Sequence, residues 1–178
     1  MPFIGEILKD IYQQENLTAE QSMADVFWTK SGIPRARMKR ENSQNPNRGK
    51  NTFVTQIFSP DRAFSCRLQQ DRGFRNILRF SLRRGKNNLD PKTPLDETEE
   101  ILEQILAGAK KGSGFKLVGR KNDFCLDGAG QLGEVRYDGF GFASEDASET
   151  RMIWFLVARG ENNQTVHGLA GVAILPKS

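Results

Sequence analysis

The side chains with the clearest chemical potential are arginines. Arg67, Arg75, Arg79 and Arg83 fall in RAFSCRLQQDRGFRNILRFSLRRGK, residues 62–86, which carries eight cationic side chains against one acid, Asp71. A guanidinium is a rigid fork of donors that stays charged at physiological pH, so it suits phosphate and carboxylate oxygens. Just before this stretch, Arg35, Arg37, Lys39, Arg40, Arg48 and Lys50 crowd residues 33–51. These side chains form the candidate binding set for a nucleic-acid backbone, without strong base specificity, or for an acidic protein surface. Several phosphate contacts would make such binding steeply salt-dependent.

The overall charge of +4 conceals how unevenly these residues are distributed. Residues 1–29 sum to −4, residues 30–86 to +12, residues 87–109 to −5 and residues 110–178 to +1. Either the basic block meets an external polyanion, or Glu97, Glu99, Glu100, Asp10 and Glu15 of the chain's own acidic helices neutralise it.

Other constellations carry less chemistry. Gly128-Ala129-Gly130-Gln131-Leu132-Gly133 spells a dinucleotide fingerprint, but Glu134-Val135-Arg136-Tyr137-Asp138 alternates like a strand, where a pyrophosphate site needs a helix N-terminus. The stretch is expected to be a turn. His167 is the single histidine; without a paired nucleophile it reads as a structural residue. Asp123, Asp127, Glu134 and Arg136 resemble a nuclease set in which carboxylates hold Mg²⁺, which makes a metal-dependent nuclease the minor alternative. Arg136 stands where such enzymes usually place Lys, and Asp127 belongs to the turn. Cys66 and Cys125 share no ligand or disulfide spacing and are expected to be buried thiols. No metal, cofactor or catalytic residue is expected.

The elements that must hold the arginines are legible as alternation. Phe64, Cys66 and Leu68 oppose Ser65, Arg67 and Gln69; Phe74, Leu78, Phe80 and Leu82 oppose Arg75, Ile77, Arg79, Ser81 and Arg83. A turn over Gln70-Asp71-Arg72-Gly73 would join the two as an antiparallel hairpin, oily on one face and cationic on the other. Phe64, Phe74 and Phe80 then belong to the core, which argues against base stacking as the binding mode. Thr52–Ser59 supplies a strand before the hairpin.

Around this ribbon, Phe3, Ile4, Ile7, Leu8, Ile11 and Tyr12 recur at helical spacing, and Thr18-Ala19-Glu20-Gln21 resembles a capping box before Met23, Val26, Phe27 and Trp28. Two N-terminal helices are therefore expected over residues 1–32. Residues 33–51, polar and Pro-containing, form a basic loop or arm. A further acidic helix spans about Leu95 to Ala109, with Leu95, Ile101, Leu102, Ile105 and Leu106 on its core face and its acids in the first turns, where the helix dipole favours them. Strands are expected over Phe115–Arg120, Asp123–Leu126, Gly133–Ala143, Thr150–Arg159 and Val166–Leu175. Met152 to Ala158 is apolar at both parities, so that strand needs cover on both faces.

The acidic helix TPLDETEEILEQILAGAKKG, the strand FKLV, the turn around DGAGQLG and the strands GEVRYDGFGF, TRMIWFLVARG and VHGLAGVAI follow one another in an order that resembles the Mog1/PsbP-like fold. The resemblance covers residues 52–178 and rests on element order. It implies a small binding or assembly factor rather than an enzyme, and carries no functional residue over.

The expectation is an α+β protein: a mostly antiparallel sheet covered by helices, with two N-terminal helices at 1–32, a basic arm at 33–51 and an α+β domain at 52–178. No apolar run approaches the ~18 residues of a membrane span. A cytoplasmic, non-enzymatic binding protein is the corresponding functional reading, with a protein-docking assembly module as its alternative.

Overall fold

A computed structural model of the chain describes residues 38–40, 53–70, 78–109, 114–126, 134–145 and 149–176. Among them are nine strands and one helix: β1 (Met38–Arg40), β2 (Phe53–Phe58), β3 (Phe64–Gln70), β4 (Leu78–Arg84), β5 (Asn87–Asn88), α1 (Leu95–Ala109), β6 (Lys116–Cys125), β7 (Arg136–Glu145), β8 (Glu149–Ala158) and β9 (His167–Pro176). All strands join one antiparallel sheet in the order β1-β2-β3-β4-β9-β8-β7-β6, with β5 alongside β4. Two meanders thus meet edge to edge, where Leu78 to Ser81 of β4 pair with Ala170 to His167 of β9.

The sheet dominates to a degree that the expected architecture does not. One helix is set against eight strands of the main path among the described residues, so the helix-covered sheet with two N-terminal helices is corrected to a sheet carrying α1 on one face. Residues 1–32, where those two helices were expected, lie outside the described residues. The arm is corrected in part as well: Met38–Arg40, within 33–51, form β1 and pair with Phe53–Thr55 of β2.

The core lies on the α1 side. Ile57, Cys66, Leu68, Leu78, Phe80 and Leu82 from the first meander join Phe140, Phe142, Ile153, Phe155 and Val157 from the second, with Ile101, Leu102, Ile105 and Leu106 of α1 packed onto them. Period-2 strand residues meet period-3.6 helix residues, as the sequence pattern requires. Phe155 lies edge-on to both Phe80 at 5.2 Å and Phe142 at 6.2 Å, linking the two halves. Helix α1 ends against β2 with so little clearance that a Cβ on Gly108 would come within 2.0 Å of the Phe58 carbonyl oxygen. Only glycine permits that approach.

The double-parity apolar run is buried on both sides, with Met152, Trp154 and Leu156 on the face away from α1. On that face the Trp154 indole lies over Gly171, where a Cβ would meet ring carbon at 2.3 Å. Two details of register depart from expectation. The β3–β4 pairing runs from Phe64↔Arg84 to Gln70↔Leu78, so Gln70, expected in the turn, ends β3; the rest of that turn and the expected start of the second strand at Phe74 lie within 71–77, outside the described residues. The two strands expected between Phe115 and Leu126 are one strand, β6, bent by register shifts at Leu117/Gly119 and Lys121/Phe124, with Asp123 at φ 50°.

Candidate functional site

The site is built by the alternation of β3 and β4. Because Cys66, Leu68, Leu78, Phe80 and Leu82 point into the α1-side core, Arg67, Arg79 and Arg83 stand on the other face of the sheet. Register places Arg67 beside Ser81, Arg79 beside Gln69 and Arg83 beside Ser65. Arg67 and Arg79 are exposed and Arg83 is half-buried. On the floor between them, Gln56 donates to the Ser65 hydroxyl at 2.9 Å. Arg83 Nη2 donates to the Lys86 carbonyl at 3.0 Å, while its Nε is shut from solvent without an acceptor. Arg67, Gln69 and Arg79 each have an interaction of their own, so an incoming anion competes for them.

The structure brings together three of the ten expected cations in this way. Lys39 and Arg40 lie in β1, at register positions opposite Val54 and Phe53. Arg35, Arg37, Arg48, Lys50 and Arg75 lie outside the described residues.

Three acids of α1 pair elsewhere. Glu97 pairs with Arg84 at 3.0 Å, and Arg120 bridges Asp96 at 2.6 Å and Glu99 at 3.8 Å. Arg84 shares the parity of Leu82 and lies over the Phe64 ring at 5.1 Å, on the α1 side. The sheet thus separates Arg67 and Arg79 from the α1 carboxylates that the alternative reading would set against them. Asp10 and Glu15 lie outside the described residues.

Beyond Arg79 the same face continues onto β9 and β7. His167 is in register with Ser81, and Leu169 with Arg79. Partial burial, then the nearby Arg79 charge, holds His167 below its ordinary pKa of 6.5, and burial pushes the Tyr137 hydroxyl up to about 12. His167, read from the sequence as a structural residue, is half-buried at the rim of a cationic face.

A second charged cluster closes the end of β6, β7 and β8. The Arg136 Nε donates to Asp123 at 2.5 Å, and Arg159 lies 3.6 Å from the same carboxylate. Buried Asp138 accepts from the Asp123 amide at 2.9 Å and from Arg159 at 3.2 Å. The hydrogen bond from Arg136 holds the Asp123 carboxyl below its ordinary value. Asp123 is thus drawn into a balanced lattice of two acids and two arginines rather than an open carboxylate set; Glu134 is exposed and Asp127 lies outside the described residues. No group of three His, Cys, Asp or Glu residues that could hold a metal ion occurs among the described residues.

The sequence reading missed Asp138 and Arg159. Their partnership depends on the β7–β8 register, which no local spacing reports. Of the thiols, Cys66 is buried and its pKa is raised by that burial, whereas Cys125 is half-buried with its Sγ 3.3 Å from Arg136 Nη1. The glycine-rich stretch 128–133 lies outside the described residues, and the next extended element, β7, is a strand.

Fold and face together define a sheet-dominated domain with a cationic surface on the side of β3 and β4 away from its described helix. No family model, curated protein or solved structure matches the chain. Among the described residues no helix is long and apolar enough to cross a membrane.

Proposed function

We propose that the protein binds the phosphate backbone of nucleic acid, without strong base specificity, through the cationic face of β3 and β4. The observation that carries this reading is the placement of Arg67 and Arg79 on the side of the sheet opposite the acidic helix α1. A ribbon of guanidinium groups interleaved with polar side chains can follow a chain of phosphates. The aromatic side chains of the same ribbon, Phe64 and Phe80, belong to the opposite parity, so contact is with backbone oxygens rather than stacked bases. At the outer edge of the sheet, Lys39 holds a register position of the same parity as Gln69 and Arg67, whereas Arg40, opposite Phe53, has the other parity.

The test is binding of a fluorescein-labelled, mixed-sequence duplex across a salt series. Each phosphate contact contributes a slope of about 0.9 in log affinity against log salt. Replacing Arg67, Arg79 and Arg83 with Gln is expected to lower the slope by roughly 2 to 3 on that basis while circular dichroism stays unchanged. An unchanged slope in the folded triple variant overturns the assignment. An assembly role of the kind implied by the Mog1/PsbP-like resemblance is the alternative; failure to bind duplex at low salt, with retained binding of an acidic polypeptide, selects it.

A further inference from the structure

Three neighbouring strands, β3, β4 and β9, converge on Ser81. Register puts Arg67 on one side of it and His167 on the other, and Arg79 lies two residues away along the same face of β4. With strands about 4.8 Å apart, the Cα atoms of Arg67 and His167 are roughly 10 Å from each other, and Arg79 is roughly 7 Å along the strand from Ser81. The small Ser81 side chain keeps the floor low between three longer ones. A phosphate group seated over Ser81 would have two guanidinium groups and an imidazole at neighbouring register positions.

Resting on the polyanion reading above, we infer that His167 is a further phosphate-contacting residue of this face, joining Arg67 and Arg79 around Ser81 in its protonated form, so that binding takes up a proton. Among the described residues, the charged or titratable groups facing His167 from the elements packed about it are Arg79 on β4 and Arg67 beyond Ser81 on β3; the printed β8 register ends beside it at Val157↔Gly168, and Ala158, next along β8, pairs with Tyr137 of β7. In the free protein Arg79 repels an imidazolium, which works with partial burial to keep His167 neutral. A phosphate between the two cations reverses the sign of the local field and favours the charged ring.

The experiment measures duplex affinity and its salt slope at about pH 7.5 and about pH 5.5, the range in which imidazole titrates. Wild-type protein is expected to bind about tenfold more tightly at the lower pH, the change expected for one added proton over about one pH unit. The slope is expected to steepen by about 0.9, one further ion pair. His167→Gln is expected to abolish both changes, and His167→Arg to show the steeper slope at both pH values. Equal pH dependence in wild type and His167→Gln overturns the inference while leaving the arginine face standing. Loss of duplex binding at every pH and salt would remove the polyanion reading and this inference together.

Discussion

Replacing Gly108 with Ala sets two known effects against each other on the same helix. Alanine is favoured over glycine in a helix by about 1 kcal/mol, so on propensity alone the change stabilises α1. The new methyl, however, would sit 2.0 Å from the Phe58 carbonyl oxygen, more than an ångström inside ordinary contact. Neither partner yields easily, because both are backbone: one is the last turn of α1, the other a strand held in register by β3. Relief requires lifting the end of α1, and that turn carries Ile105 and Leu106, both 1% exposed. Partial exposure of two such side chains, each worth roughly 1.5–3 kcal/mol when fully buried, outweighs the propensity gain. The net expectation is a loss of about 2–4 kcal/mol, in the range of overpacking penalties. For a chain of this size each kcal/mol lowers the melting temperature by about 2–4 °C, so a fall of roughly 5–15 °C is expected by calorimetry. Gln104→Ala, on the exposed side of the same helix, is expected to stay within about 0.5 kcal/mol. A Gly108→Ala protein as stable as wild type, or more so, would refute the close docking of α1 on β2.

Two further changes probe the charged positions. Asp138→Asn keeps an acceptor for the Asp123 amide but removes the charge facing Arg159, and is expected to cost about 1–3 kcal/mol in urea denaturation, towards the lower end because Arg159 is half-exposed. His167, held below its ordinary 6.5, leaves the unfolded chain to take up a proton first. Its contribution to stability is therefore present above about pH 6.5 and lost as pH falls through the folded value; His167→Gln is expected to flatten that part of the stability curve, and an unaltered curve counts against the assignment.

Strand alternation and helix periodicity were enough to find α1, whose bounds Leu95–Ala109 match the amphipathic stretch, and the two faces of β3 and β4, because each is a local pattern in which one misplaced residue would bury a charge. The double-parity run in β8 likewise announced burial on both sides. What escaped was non-local. Nothing near Leu78 indicates that β4 meets β9 almost ninety residues later. Asn122-Asp123 reads as a break between strands, yet β6 absorbs it as a bulge, since Asp123 tolerates positive φ and finds Arg136 there. Whether α1 neutralises the arginine face was left open for the same reason. Charge counting along the chain cannot say which side of a sheet a helix takes, and here Arg84 and Arg120, absent from the expected site, hold the acids.

The narrow join between the meanders has a consequence for synthesis. While the chain is being made, β4 has finished its hairpin with β3 long before β9 emerges, and its outer edge must wait with bare amides and carbonyls. Waiting edges invite pairing with other nascent chains, and charged side chains along such a strand are a recognised deterrent. Arg79 and Arg83, together with the short β5 strand pairing Arg83 and Arg84, thus guard an unfinished border until its proper neighbour arrives.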